Sequence, residues 1–144
     1  MPEFQLDVGT HESAQRYRGL DYFTQGYIEC MFFCGGFNDD VKDPHLGMLS
    51  DEAWKAIEED CQAFQIANAA PLAAATTGEP VWPNQRYEYT MARAGHDYWY
   101  SRNDYGVGYG DRGLPTDVEA ELERAAVAAG QVDPYVGDDG KIYL

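Results

Sequence analysis

The segment HDYWYSRNDYGVGYGDR, residues 96–112, constrains the fold more than any other stretch of the chain. Residues 97–102 are rich in aromatic side chains, which favour β-strands, and the following NDYG supplies turn residues that tolerate positive φ. VGYG then resumes an extended pattern. We therefore predict a β-hairpin here, with Gly106 and Gly108 on one face of its second strand, where they leave a shallow groove.

Two helices are predicted upstream of this hairpin. Residues 21–34 carry apolar side chains at helical spacing, and the pair Gly35-Gly36 should end that helix. Residues 50–70 begin with Ser50 as an N-cap, carry acids in the first turn and show an apolar face. We expect the remaining acidic residues of this second helix to lie on its solvent-exposed face.

The stretch between these helices and the hairpin is less regular. Its first part, residues 71–83, contains three prolines and predicts a loop or a partly helical connection. Residues 84–95 could form a short helix that is capped by Asn84 and ended by Gly95.

A further helix and two short strands are predicted after the hairpin. PTDVEAELERAAVAAG, residues 115–130, has Thr116 and Glu119 as a capping box and a glycine at its end. Strands at 132–136 and 141–144 flank a turn that is rich in glycine and aspartate.

These elements predict an α+β fold class, with N-terminal helices followed by a β-β-α-β-β unit and a small, mostly antiparallel sheet. A chain of 144 residues has the size of one domain. We therefore expect a single globular α+β domain over residues 1–144, with residues 1–20 as a candidate flexible N-terminal segment.

Composition argues against several classes of protein. The sequence has no run of 18 apolar residues and no apolar segment behind a basic start, so we expect neither a membrane protein nor a secreted one. Cys30, Cys34 and Cys61 are odd in number and do not have the spacing of a disulfide scaffold or a zinc site. We expect core thiols, no metal and no cofactor.

The chain is strongly acidic, with a formal net charge of −15. Such a charge disfavours direct binding to nucleic acid, because the negatively charged phosphate backbone binds to surfaces rich in Lys and Arg. The charge is unevenly distributed: acids outnumber bases before residue 84 and after residue 112, whereas residues 84–112 hold four of each. The hairpin segment therefore lies in the only neutral part of the chain.

The run AGHDYWYSRNDYGVGYGDR and the ending VDPYVGDDGKIYL resemble a family of small uncharacterised bacteriophage proteins. That family carries a motif close to A-G-H-D-F-W-x-T-R-N-G-H-G-x-G-F-W-D-R, and the likeness extends upstream to QGYIECMFF and EEDCQAFQIANAA. The resemblance implies a phage origin and no particular reaction. Since the sequence shows no secretory signal, we expect a phage protein of this kind to lie in the host cytoplasm. This chain has Tyr105 where the family usually has a histidine and Gly110 where it has a tryptophan.

Binding is favoured over catalysis, because the chain lacks the recognised catalytic motifs and His96 and Asp97 would point to opposite faces of a strand. In the first hypothesis an acidic surface binds a basic groove on a host protein, as a DNA mimic that blocks a defence nuclease would. The residues assigned to that surface are Glu52, Glu59, Glu119 and Glu123.

In the second hypothesis the neutral segment binds a nucleotide or small anion and sequesters it without catalysing a reaction, as a sponge protein would. The residues assigned to that site are Tyr98, Tyr100, Arg102, Tyr105 and Arg112. The structural alternative is that the aromatic side chains fill the core and the arginines pair with acidic neighbours. Since side chains alternate along a strand, we expect Trp99 to be buried and Arg102 to lie on the surface.

Overall fold

Helices dominate the computed structural model, which describes residues 5–34, 41–77 and 88–144. The helices within these ranges are α1 His11–Arg18, α2 Tyr22–Cys34, α3 Asp51–Ala67, α4 Ala69–Thr77, α5 Met91–Arg102 and α6 Thr116–Ala129. Short 3-10 helices lie at Leu46–Met48 and Tyr109–Asp111. The sheet of the described residues consists of β1 Tyr135–Val136 and β2 Ile142–Tyr143, which pair antiparallel.

The predicted α+β fold with a β-β-α-β-β unit is wrong, because the segment assigned to the first hairpin strand is the second half of α5. Thr90 caps this helix by accepting a hydrogen bond from the Arg93 amide at 3.2 Å. The aromatic residues prefer strands only weakly, and packing of one helical face into the core overrides that preference. Beyond α5 the chain forms a loop and a 3-10 helix instead of a second strand.

Two of the predicted helices are confirmed. Helix α2 begins one residue after the predicted start, and Ser50 caps α3 by accepting a hydrogen bond from the Ala53 amide at 3.0 Å. The pair Gly35-Gly36, which was expected to end α2, lies outside the described residues.

Other predicted boundaries differ from the structure. Pro71 lies in the first turn of α4, where its missing N–H costs no helical hydrogen bond, and residues 78–83 lie outside the described residues. The predicted cap Asn84 also lies outside them, and α5 continues through Gly95. Helix α6 is present but starts at Thr116 itself, so the predicted capping box does not form.

The predicted C-terminal strands are present and shorter than expected. Tyr135 pairs with Tyr143 and Val136 with Ile142. The buried Ile142 also forms a bridge to Leu49, and its carbonyl accepts a hydrogen bond from the Ser50 amide at 3.0 Å. The C-terminal hairpin thus covers the start of α3.

Helices α2 and α5 form the most extensive helix contact of the described residues. Their backbones touch at two glycines. A Cβ atom added to Gly26 would lie 2.0 Å from the Ala92 carbonyl oxygen, and one added to Gly95 would lie 1.9 Å from the Phe23 carbonyl oxygen. Only glycine allows helices to approach this closely, so this pair fixes the position of α5.

The close crossing brings aromatic rings of several helices into one core. Tyr98 of α5 stacks on Phe64 of α3, with ring centroids 4.0 Å apart, and packs against Phe23 and Tyr27 of α2. Trp99 is buried, as predicted, and its ring meets Tyr27 edge-on at 5.4 Å.

Substituting either crossing glycine tests this packing. An alanine in a helix normally stabilises it by about 1 kcal/mol relative to glycine. We expect Gly26→Ala and Gly95→Ala each to lower the free energy of unfolding by about 2–3 kcal/mol, because the new methyl group meets a backbone carbonyl. Gly110→Ala is the control, since a Cβ there meets nothing within 4 Å. Urea unfolding of the three variants measures the difference, and equal stabilities would contradict the close crossing.

Candidate functional site

An open groove of about 660 Å³ lies between the end of α5, the glycine-containing loop that follows it, and the second half of α6. Helix α5 contributes Tyr100, Ser101 and Arg102 to its lining. The loop and α6 add three carboxylates, those of Asp104, Asp111 and Glu123. The groove is therefore acidic: Asp104 and Asp111 come from the neutral segment 84–112, and Glu123 comes from the acidic part of the chain that follows it.

Ser101 fixes the floor of this groove. Its hydroxyl donates a hydrogen bond of 2.6 Å to Glu123 Oε2 and accepts one from the Tyr109 amide at 3.3 Å. Gly108 lies so close that a Cβ atom there would be 2.1 Å from Ser101 Oγ. None of the described residues that line the groove is a histidine, so Ser101 has no imidazole base beside it.

Arg102 is buried, which contradicts the prediction that it lies on the surface. Its Nε donates to the Gly130 carbonyl at 2.7 Å and its Nη2 to the Ala129 carbonyl at 3.1 Å. Its Nη1 donates to the Tyr27 hydroxyl at 3.1 Å and forms an ion pair with Asp60. The guanidinium group thus binds the last carbonyls of α6, where positive charge is favourable, and leaves at most one N–H free.

Arg112, whose side chain is 33% exposed, makes a second ion pair, with Asp97. Its Nη2 donates to Asp97 Oδ1 at 2.7 Å and its Nε to Oδ2 at 3.0 Å. Asp97 is fully buried, and the Tyr89 hydroxyl donates to its Oδ2 at 2.7 Å. Hydrogen bonding to this carboxylate raises the pKa of Arg112. Burial raises the pKa of Tyr89, so its hydroxyl remains a donor at neutral pH.

The structure does not gather the five proposed ligand-binding residues on one surface. Tyr98 is 0% exposed, and its hydroxyl donates to Asp60 Oδ1 at 2.8 Å. Tyr100 lines the groove, whereas Tyr105 is 46% exposed and donates to the Cys34 carbonyl at 3.2 Å. The geometry agrees with the structural alternative, in which rings fill the core and arginines pair with acids.

The four proposed acidic residues have different surroundings. Glu52 is exposed in the first turn of α3, and Glu59 is exposed with its Oε1 3.9 Å from Lys55 Nζ. Glu119 and Glu123 of α6 are half-buried, and Glu123 holds Ser101.

Asp60 and Asp97, the two carboxylates that pair with Arg102 and Arg112, were not predicted from the sequence. A signal was present for Asp60, which lies three residues after Ile57 and four before Phe64 and so beside the apolar face of α3. An acid at such a position is a candidate partner for a cation. Asp97 lies on the buried face of α5, a segment that the sequence predicted as a strand.

The described residues contain no group of three or more potential metal ligands. His96 Nε2 lies 3.9 Å from Glu29 Oε1, and this neighbouring histidine lowers the pKa of Glu29. None of the described helices is long and apolar enough to cross a membrane.

No protein-family model matches the chain, and neither a curated protein nor a solved structure matches it. The resemblance to a bacteriophage family therefore stays a prediction, and function is inferred from the geometry and charge of the described residues.

Removing the Arg102 guanidinium tests its structural role. We expect Arg102→Ala to lower the free energy of unfolding by about 3–5 kcal/mol, because Asp60 and two carbonyl groups lose their buried partner. Arg124→Ala is the matched control: this arginine is exposed on α6, and its loss should change stability by less than about 0.5 kcal/mol. Urea or thermal unfolding distinguishes the two, and a small effect of Arg102→Ala would return this arginine to the list of ligand-binding candidates.

Proposed function

We propose that the protein is a bacteriophage accessory protein that binds a basic surface of a host protein through its exposed carboxylates. The observation that carries this proposal is that the two arginines of residues 96–112 pair with the protein's own carboxylates, in a chain whose net charge is −15. Arg102 forms an ion pair with Asp60, and Arg112 forms one with Asp97.

The surface of the described residues is left with a large excess of carboxylates. Arg16 pairs with Glu58, and Lys55 lies near Glu59, so further basic side chains are partly offset by acids. Helices α3 and α6 present Asp51, Glu52, Asp117 and Glu121 to solvent. A surface of this kind attracts basic partners at long range and repels nucleic acid.

Competition with nucleic acid follows from the same charge. A host protein that binds DNA presents a basic groove to phosphate groups, and rows of carboxylates can occupy that groove instead. We infer that the host target is a DNA-binding protein, as expected for a DNA mimic with an anti-defence role.

The sponge hypothesis has weaker support. A nucleotide or small anion requires free cationic donors, whereas four of the N–H groups of Arg102 and the Nε and Nη2 groups of Arg112 already donate to acceptors. The groove beside Tyr100 is lined by carboxylates, which repel phosphate. Catalysis is also less favoured, since Ser101 lacks an imidazole base.

A matched pair of variants tests the proposal. The first variant removes four negative charges at the proposed surface by Glu→Gln substitution at Glu52, Glu59, Glu119 and Glu123. The control removes the same number of charges at exposed positions elsewhere, by substitution to the corresponding amide at Glu12, Glu88, Asp133 and Asp138. Both have the same net charge, so a difference between them reports the position of the charges.

Each protein serves as bait in a lysate of the bacterial host at low and moderate salt. We expect the wild type and the control to retain a basic protein that duplex DNA displaces, and the first variant to bind that protein at least tenfold more weakly. The salt dependence of the remaining binding should also be shallower. Equal retention by both variants would reject the proposed surface, and a partner that DNA does not displace would reject DNA mimicry.

A further inference from the structure

A second cavity adjoins the groove between α5 and α6. Its volume is about 280 Å³. Asp104 and Gln131 line both the groove and this second cavity, so the two form one continuous depression that passes the end of α5. The groove, at about 660 Å³, lies within the range of about 300–1,000 Å³ that is usual for ligand sites. The depression can therefore hold a long side chain together with part of the backbone that carries it.

The carboxylates of the groove are not neutralised by the chain itself. One oxygen of Glu123 and one of Asp111 accept hydrogen bonds from the chain, at 2.6 and 2.9 Å, and each carboxylate keeps its second oxygen. The Asp104 side chain has no hydrogen-bond or ion-pair partner among the described residues. Arg102 is the only base in the described lining, and its guanidinium group is already paired. The groove therefore offers negative charge and acceptors to a cation from outside the chain.

The second cavity adds an independent observation, a buried donor without an acceptor. Trp99 lines this cavity and is 1% exposed. Its indole Nε1 is the only buried side-chain nitrogen or oxygen of the described residues that has no hydrogen-bond partner. Such a donor is costly to leave unpaired, and buried indole N–H groups usually find an acceptor. A carbonyl group placed in the second cavity would supply one.

We propose that the groove and the second cavity together bind an arginine residue of the basic partner. This inference rests on the proposed function, which supplies that partner. The guanidinium group lies in the groove, where its N–H donors bind the carboxylates of Asp104, Asp111 and Glu123. Its planar face packs on the ring of Tyr100. A backbone carbonyl of the same segment lies in the second cavity and accepts a hydrogen bond from the Trp99 indole.

The spread of the carboxylates favours arginine over a smaller cation. Asp104 follows the end of α5, Asp111 ends a 3-10 helix and Glu123 lies on α6, so the three approach the groove from different elements. The described residues contain no group of three or more side chains that could hold a metal ion, so these carboxylates are too far apart for one. A guanidinium group has several donors in a planar fork and also stacks on aromatic rings, whereas an ammonium group is a compact charge.

A peptide titration of the full chain, followed by NMR, tests the site. The probe is acetyl-Gly-Arg-Gly-amide, and the control peptide has citrulline, which keeps the shape of arginine without its charge. We expect the amide signals of Gly106 and Gly110 and the Trp99 indole signal to shift on one binding curve, with the indole proton moving downfield as it gains an acceptor. Trp99→Phe identifies that signal, and the Trp54 indole of α3 should not move. The citrulline peptide should bind at least tenfold more weakly.

Two results of the titration would overturn the proposal. The first is equal binding of the arginine and citrulline peptides, which would show that the groove does not recognise the charge. The second is an arginine peptide that leaves the Trp99 indole and the glycine amides unmoved, which would place its binding elsewhere on the acidic surface.

Asp104→Asn distinguishes the groove from general attraction to an acidic protein. Asp104 is exposed, so the substitution should preserve the fold and weaken binding of the arginine peptide about fivefold. Asp138→Asn is the matched control, because it removes the same charge from the exposed turn between β1 and β2. We expect it to change the affinity by less than about twofold. Equal effects of the two substitutions would contradict a site in the groove.

The lysate experiment separates this inference from the proposed function. If the wild type and Asp104→Asn retain the same basic, DNA-displaceable protein equally well, the proposed function stands and the groove is not its site. If the arginine peptide binds in the groove but no basic protein is retained from the lysate, the proposed function is wrong and the groove remains an arginine site.

Discussion

The Arg102 guanidinium group joins four of the described helices. It extends from the last turn of α5 to the Tyr27 hydroxyl on α2, the Asp60 carboxylate on α3 and the final carbonyl groups of α6. It also lies over the Tyr98 ring, 4.9 Å from the ring centroid. A charge at this depth requires partners, and these helices supply them.

This arrangement also bears on the proposed function. Had Arg102 and Arg112 been free of partners, the neutral segment of the chain would have offered two cationic groups to a phosphate. Arg102 is instead buried and paired with Asp60, Arg112 is partly exposed and paired with Asp97, and the groove beside Arg102 is lined by carboxylates. These pairings support the proposal of a basic partner over the nucleotide hypothesis.

The sequence was sufficient to predict helices with a clear apolar face and a cap. The spacing within α2 and the Ser50 cap of α3 identified those two helices, and the C-terminal strands followed from their turn. Helix α5 could not be identified in the same way, because its aromatic residues favour strands and Gly95 is a poor helix former. What makes it a helix is tertiary: Gly95 fits against the Phe23 carbonyl, and Tyr98 enters the core.

The candidate site was predictable only in part. Tyr100 and Arg102, which the sequence assigned to a ligand site, and Glu123, which it assigned to an acidic surface, all line the groove. It could not show that Arg102 is buried, because Asp60 is 42 residues away in the chain. The long-range pairing of two charges leaves a weak local signal, namely an acid beside the apolar face of α3.

The most direct measurement is a double-mutant cycle between Arg102 and Asp60, with Arg102→Met, Asp60→Asn and the double variant compared with the wild type by urea unfolding. Methionine keeps the apolar stem, and asparagine keeps an acceptor for the Tyr98 hydroxyl. If the ion pair of Arg102 and Asp60 holds the helices together, the coupling free energy will be about 2 kcal/mol or more. The stability effects of mutations at independent sites are additive to within about 0.5 kcal/mol. A coupling free energy below that value would show that the fold does not depend on this pair.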